Sequence, residues 1–217
     1  EKYCRRIYRQ YADSDFELLG QEVRFGRGEP YGAIPLKAGG KTYLLEGKAD
    51  RIDRYGDYIR IVDYKTGRYG NADKELYVGK DLQTYLYMNA FTRRYRPAGV
   101  YYCGVSDDYG REEKGADFDG HTLMNEDVIF ASDKNLAPEK TSALTGVKIS
   151  VKKSGEIKYG GKLLSEEELS AFLKYAVLIS EKGAARMDEG VIVASPYEGA
   201  CAYCGQRLSP LLIAMSQ

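Results

Sequence analysis

An α/β fold with a mixed, twisted central sheet flanked by helices is what this sequence predicts, on three observations. Residues 42–53 and 58–65 are two strand-like runs separated by the turn residues Tyr55-Gly56-Asp57, and read as a hairpin. Helical periodicity follows in residues 81–90, where Leu82, Tyr85, Leu86 and Asn89 share one face. The apolar run 99–105 then fits a buried strand that returns to the same sheet.

The remaining elements follow from local chemistry. Ile7, Tyr8, Tyr11 and Ala12 give residues 1–13 a loose helical pattern, Gly20 ends that region, and residues 22–25 begin an extended one. Gly67 and Gly70 stop the second hairpin strand. Residues 106–120 are polar and aperiodic and read as a surface loop, before 147–152 and 156–159 form a smaller hairpin around Ser154-Gly155. Ser165 with Glu168 is a capping-box signature for a helix bearing Leu169, Phe172, Leu173, Ala176 and Ile179, running to about Met187. With no repeat and no Pro/Gly/Ser linker, residues 1–217 read as one domain ending in a tail at 190–217.

Composition narrows the chemistry without naming it. Lys plus Arg and Asp plus Glu balance at 32 each, so net charge is silent on partners. No apolar run reaches the length of a membrane span and no signal peptide is visible, so a cytoplasmic protein without membrane contact is expected. The chain opens on Glu1 rather than Met, which reads as a piece cut from a longer protein. Four Cys, of which only Cys201 and Cys204 are closely spaced, do not make a secreted disulfide framework. The single His121 excludes multi-His metal sites, and its polar surroundings read as an exposed loop.

The most informative feature is Asp50 on the first hairpin strand, followed thirteen residues later by Asp63-Tyr64-Lys65 on the second. Residues two apart on a strand share a face, so Asp63 and Lys65 project together, and antiparallel pairing brings Asp50 beside them. Two carboxylates with a neighbouring carbonyl suit a hard divalent cation such as Mg²⁺, and an adjacent Lys can position water and offset charge on a phosphate under attack. The competing reading is that both acids face solvent and Lys65 merely pairs with one of them.

Three segments carry a family resemblance. Gly47-Lys48-Ala49-Asp50-Arg51-Ile52-Asp53, then Asp63-Tyr64-Lys65-Thr66-Gly67, then Gln83 with Tyr87 are similar, in order and separation, to the G-x-x-D-R-I-D, D-Y-K-(S/T)-G and Q-x-x-x-Y motifs of PD-(D/E)XK nucleases of the RecB/AddB family. Gly190-Val191-Ile192, Pro196 and Cys201-Ala202-Tyr203-Cys204 resemble the C-terminal tail of the AddB-type nuclease domain. The resemblance implies a restriction-endonuclease-like fold, with Asp50, Asp63 and the Tyr64 carbonyl holding Mg²⁺, or Mn²⁺ in its place, and Lys65 as the catalytic lysine. Gln83 and Tyr87 would contact DNA or brace the site, although Tyr87 also fits a core aromatic. Glu22 is the candidate for the family's early acidic residue, and equally an exposed strand residue; Glu46 is a weaker one. Arg51 and Asp53 are expected to be structural or DNA-facing.

The resemblance breaks at the cysteines. AddB-type nucleases carry an iron–sulfur cluster on four thiolates, whereas Pro210 stands where this chain's last ligand would fall. Cys103 reads as a core residue and Cys4 as part of the basic first helix, so no intact cluster is expected. Cys201 and Cys204 remain as remnant ligands or as two small residues in a turn. The function implied is metal-dependent hydrolysis of DNA, with exonuclease action on single strands expected, as the nuclease part of a helicase–nuclease subunit processing double-strand ends for recombinational repair alongside a partner subunit. The alternatives are a catalytically inactive nuclease-like module that guides DNA or docks a subunit, and a redox or zinc module on Cys201 and Cys204.

Overall fold

The computed structural model describes residues 2–66, 76–105 and 116–191. Among these, six strands form a mixed sheet in the order β1 (Glu17–Phe25), β4 (Gly47–Tyr55), β5 (Tyr58–Lys65), β6 (Arg96–Gly104), β7 (Asp119–Leu123), β10 (Leu163–Leu164). The β1–β4, β4–β5 and β6–β7 pairs are antiparallel, and β5–β6 and β7–β10 are parallel. Parallel β5 and β6 need a crossover, and that connection carries the short helix α2 (Gln83–Met88). Two ribbons, β2 (Ile34–Ala38) with β3 (Lys41–Leu45) and β8 (Lys148–Val151) with β9 (Ile157–Gly160), stand outside the sheet.

Alternation along the central strands sorts the side chains into two layers. Ile52, Ile59, Ile61 and Val100 join the larger core with Tyr85 and Met88 of α2 and with Leu169, Leu173 and Ala176 of α4 (Glu166–Asp188). Helix α4 starts at the expected capping box, Ser165 Oγ accepting from the Glu168 N–H at 3.1 Å while the Glu168 carboxylate accepts from the Ser165 N–H at 2.8 Å. On the opposite face, Val62, Tyr101, Cys103 and Phe118 form a second cluster with Leu144. Helix α1 (Lys2–Ala12) is tied there: Arg6 donates to the Gly104 carbonyl at 2.8 Å and Gln10 to Cys103 Sγ at 3.6 Å.

Several expectations are corrected. Residues 42–53 are not one strand: β3 ends at Leu45 and β4 begins at Gly47, because β3 pairs with β2 while β4 enters the sheet. The Glu46 carboxylate accepts from the Arg27 N–H at 2.9 Å at that break. A Cβ at Gly47 would lie 2.6 Å from Phe25 Cζ, so the strand resumes on a residue without one. The first sheet strand starts at Glu17 and runs through Gly20. His121 is not in an exposed loop; it lies buried on β7, its Nδ1 against the Tyr85 hydroxyl and its ring stacked 5.7 Å from Phe172. Sequence polarity around 117–122 hid this strand. Helix α3 (Glu126–Ser132), capped by Asn125, and the strands β2 and β10 were also not anticipated.

The sheet is tightest where β6 meets β7. A Cβ at Gly120 would overlap the Val100 carbonyl oxygen and lie 2.8 Å from Tyr101 Cα, both backbone atoms that cannot swing aside. Gly120→Ala is expected to destabilise the fold by roughly 1–3 kcal/mol or more, as overpacking does. Equilibrium urea unfolding checks it; an unchanged midpoint would show that the two strands can separate at no cost.

Candidate nuclease site

Strands β4 and β5 are paired in register as far as Arg51–Val62, so the next facing positions are Asp50 and Asp63. Alternation then puts Asp50, Asp63 and Lys65 on the face covered by α2, with Arg51, Asp53, Arg60 and Tyr64 on the face covered by α1. Beyond Arg51–Val62 the backbone ladder gives way to a side chain: Asp50 Oδ2 accepts the Tyr64 N–H at 3.0 Å. The two strands meet through the site itself.

Lys65 is held from three sides. Its Nζ lies 2.6 Å from Asp63 Oδ2, donates to Gln83 Oε1 at 3.0 Å, and sits 5.2 Å from the centroid of the Tyr102 ring. Gln83 in turn donates from Nε2 to the Tyr87 hydroxyl at 3.5 Å, the i to i+4 relation on α2 that puts both side chains on one face. Tyr87 is half-buried against the Phe25 ring at 4.9 Å, so it packs as a core aromatic and presents its hydroxyl to Gln83. Tyr102 was not expected at the site. Its place follows from the parallel register that sets Asp63 beside Tyr102, a pairing between strands that no local pattern encodes.

Asp63 is buried, and among the described residues its Oδ2 has no aligned hydrogen-bond donor despite the short distance to Lys65; the contact is an ion pair off the hydrogen-bond direction. Burial pushes its carboxyl pKa up and the charge of Asp50 adds to this, while Lys65 opposes both without cancelling them. A buried carboxylate oxygen short of a partner, a second carboxylate across the ladder and the nearby Tyr64 carbonyl are hard oxygen donors that fit a divalent cation. Among the described residues, no three of His, Cys, Asp and Glu converge as metal ligands, so any protein-borne shell here rests on two carboxylates plus backbone.

The raised pKa has a consequence for stability. Between the ordinary carboxylate value of 3.8 and the raised folded value, the native state keeps a proton that the unfolded chain has lost, so stability falls as pH rises through that window. Metal-free Asp63→Asn should therefore melt above the parent protein at pH 7. Differential scanning calorimetry in EDTA measures this, and a lower melting temperature for the variant would mean that the Lys65 pair outweighs the burial cost.

Glu22 falls opposite Asp50, between the paired positions Gln21–Arg51 and Val23–Ala49. Its backbone is left-handed, φ 53°, and its exposed carboxylate is ion-paired with Lys48. It is thus at the site by register but engaged by another side chain. Glu46 stands before β4 on the Arg27 amide. Cys103 is buried, with burial pushing its thiol pKa up, whereas Cys4 is exposed. Cys201 and Cys204, with the tail they belong to, lie outside the described residues.

Arg51 and Asp53 belong to a separate, fully buried network. Arg51 donates to both Asp53 oxygens at 2.7 and 2.8 Å, and Arg60 Nε donates to Asp53 Oδ2 at 2.9 Å. Arg51 also reaches Gln10 Oε1 at 2.7 Å and the Tyr64 hydroxyl at 3.2 Å. Burial works against the Arg51 charge, but its bonds to Asp53 and Tyr64 outweigh that and raise its pKa. Arg60 stacks between Phe16 and Phe118, its guanidinium 4.5 and 4.9 Å from their ring centroids.

The sheet and the acid pair on its splayed hairpin define a restriction-endonuclease-like α/β protein. The chain belongs to the PD-(D/E)XK nuclease superfamily, whose sequence profile matches residues 1–207. It is 30% identical over 220 residues to the AddB-type ATP-dependent helicase/deoxyribonuclease protein of Caldanaerobacter subterraneus subsp. tengcongensis, covering 88% of this chain and 19% of that protein. The protein of the same description from Natranaerobius thermophilus is 29% identical over 225 residues, again 88% and 19%. The chain thus spans about a fifth of the length of these curated relatives. Among the described residues no helix is long and apolar enough to cross a membrane.

Proposed function

We propose that this chain is a Mg²⁺-dependent deoxyribonuclease domain, the nuclease part of a helicase–nuclease subunit that trims double-strand DNA ends for recombinational repair. The observation that carries the reading is the facing pair Asp50 and Asp63 with Lys65 on the same sheet face. The superfamily and the relatives described as helicase/deoxyribonuclease subunits support DNA as substrate and a second subunit as partner. Single strands and exonucleolytic action fit a nuclease fed by a helicase.

Asp50, Asp63 and the Tyr64 carbonyl would hold the cation, with Mn²⁺ able to replace Mg²⁺. When bound, such a cation polarises the scissile phosphate and lowers the pKa of water. The chain supplies the rest. Lys65 orients the attacking water and offsets negative charge as it builds on the phosphate. Gln83 limits the Lys65 ammonium to one position, and Tyr87 limits Gln83, so little reorganisation accompanies the reaction.

The test is cleavage of an end-labelled single-stranded oligonucleotide by the purified chain in Mg²⁺, in Mn²⁺ and in EDTA. Products are expected with either metal and none in EDTA. Folded protein that cleaves in none of the three would sink the proposal and leave a non-catalytic DNA-guiding or docking module as the better reading.

A further inference from the structure

An exposed aromatic pair lies on the chain segment that leads into the site. Tyr77 is 75% exposed, and its ring lies parallel to that of Tyr175 on α4, with 7° between planes and centroids 6.4 Å apart. The pair is fixed in place. Tyr175 donates its hydroxyl to the Tyr77 carbonyl at 2.6 Å, and Leu76, next to Tyr77, is fully buried. At Gly79, φ 86°, a Cβ would lie 3.2 Å from Ile179 Cγ2, so the turn after Tyr77 is packed closely on α4.

The other end of the segment is fixed to the site. Tyr102, whose ring lies under Lys65, donates its hydroxyl to the Asp81 carbonyl at 2.9 Å, and Gln83 accepts from Lys65. Six residues separate Tyr77 from Gln83, so the two are at most roughly 20 Å apart even for a fully extended chain. That is within the reach of a single strand whose footprint on one binding fold is about 4–16 nucleotides. An aromatic face held rigidly in solvent loses little conformational entropy on stacking, and any base offers a π-face to it.

We propose that Tyr77 is a stacking platform for an unpaired nucleobase of the strand entering the Asp50–Asp63 site. The proposal rests on the nuclease reading and adds to it a preference for single strands, because a base inside a duplex has both faces already covered. Tyr77 binds substrate; it takes no part in bond cleavage.

The experiment compares parent, Tyr77→Ala and Tyr77→Phe for binding of a fluorescent single-stranded oligonucleotide by anisotropy in EDTA, where no cleavage occurs. The probes are a normal oligonucleotide, the same length made wholly of abasic sites, and a duplex. Tyr77→Ala should raise Kd for the normal single strand about tenfold, a factor within the range for loss of one base stack, and Tyr77→Phe should stay near the parent. Kd for the abasic strand and the duplex should move by less than about twofold in Tyr77→Ala. Equal Kd for parent and Tyr77→Ala on the normal strand overturns the proposal, as does a loss of the same size on the abasic strand or duplex. Cleavage by the parent in Mg²⁺, measured alongside, tests the nuclease reading separately, since binding in EDTA does not depend on catalysis.

Discussion

Asp53→Ala should cost the fold about 3–5 kcal/mol, a large part of the stability of a domain this size, and the protein should be partly unfolded without added stabilisers. The reason is charge left without a counterion. Arg51, Asp53 and Arg60 are all fully buried, and the single carboxylate serves both guanidiniums. Two Arg60 nitrogens already lack hydrogen-bond partners among the described residues, so the rings of Phe16 and Phe118 and the Asp53 carboxylate carry what compensation that cation has. Asp50→Ala, three residues away but half-buried on the other face, should unfold close to the parent. Equilibrium urea unfolding of the two variants side by side decides it: coincident midpoints would mean that the buried cations find other partners.

Lys65→Ala should lower the rate of DNA cleavage by at least about a hundredfold, roughly 3 kcal/mol of transition-state stabilisation. Asp63→Asn should do the same for a different reason, and metal titration separates the two. Loss of Asp63 removes a negative ligand, so raising Mg²⁺ should recover part of the activity. Loss of Lys65 leaves both carboxylates in place but takes away the ammonium that Gln83 and Tyr102 hold beside Asp63, which added metal does not replace. DNA binding should survive the Lys65 change better than cleavage, since phosphate contacts are spread over many groups. Parent-rate cleavage by folded Lys65→Ala, free of contaminating nuclease, would remove Lys65 from the mechanism.

The D-R-I-D run shows where sequence reading worked and where it stopped. Asp50 and Asp53 are equally acidic and lie on one strand, but an odd separation sends them to opposite faces of the sheet. The turn at Tyr55-Gly56-Asp57 sets the hairpin register, and with it the pairing of Asp50 opposite Asp63, so this part of the candidate site was legible from spacing. That Asp53 would serve two buried guanidiniums was not legible, because Arg60 and the rings around it come from elements that meet only in the folded chain. His121 went the other way: its polar neighbours suggested a loop, while the burial that defines its role comes from Tyr85 and Phe172, far off in sequence.

Local sequence accounts for the hairpin, its turn, the parity that sets Asp63 and Lys65 on one face, the capped helix starting after Ser165, and the helical spacing of Gln83 and Tyr87. All of these depend on interactions between residues near in the chain, which periodicity and turn chemistry encode directly. Contacts between distant segments set the rest: β3 leaves the sheet to pair with β2, Tyr102 lies beneath Lys65, Glu22 is engaged by Lys48, and Tyr77 stacks on Tyr175. Those outcomes follow from which surfaces meet across the sheet and between helices, and pairing between distant segments leaves no periodic mark in either one.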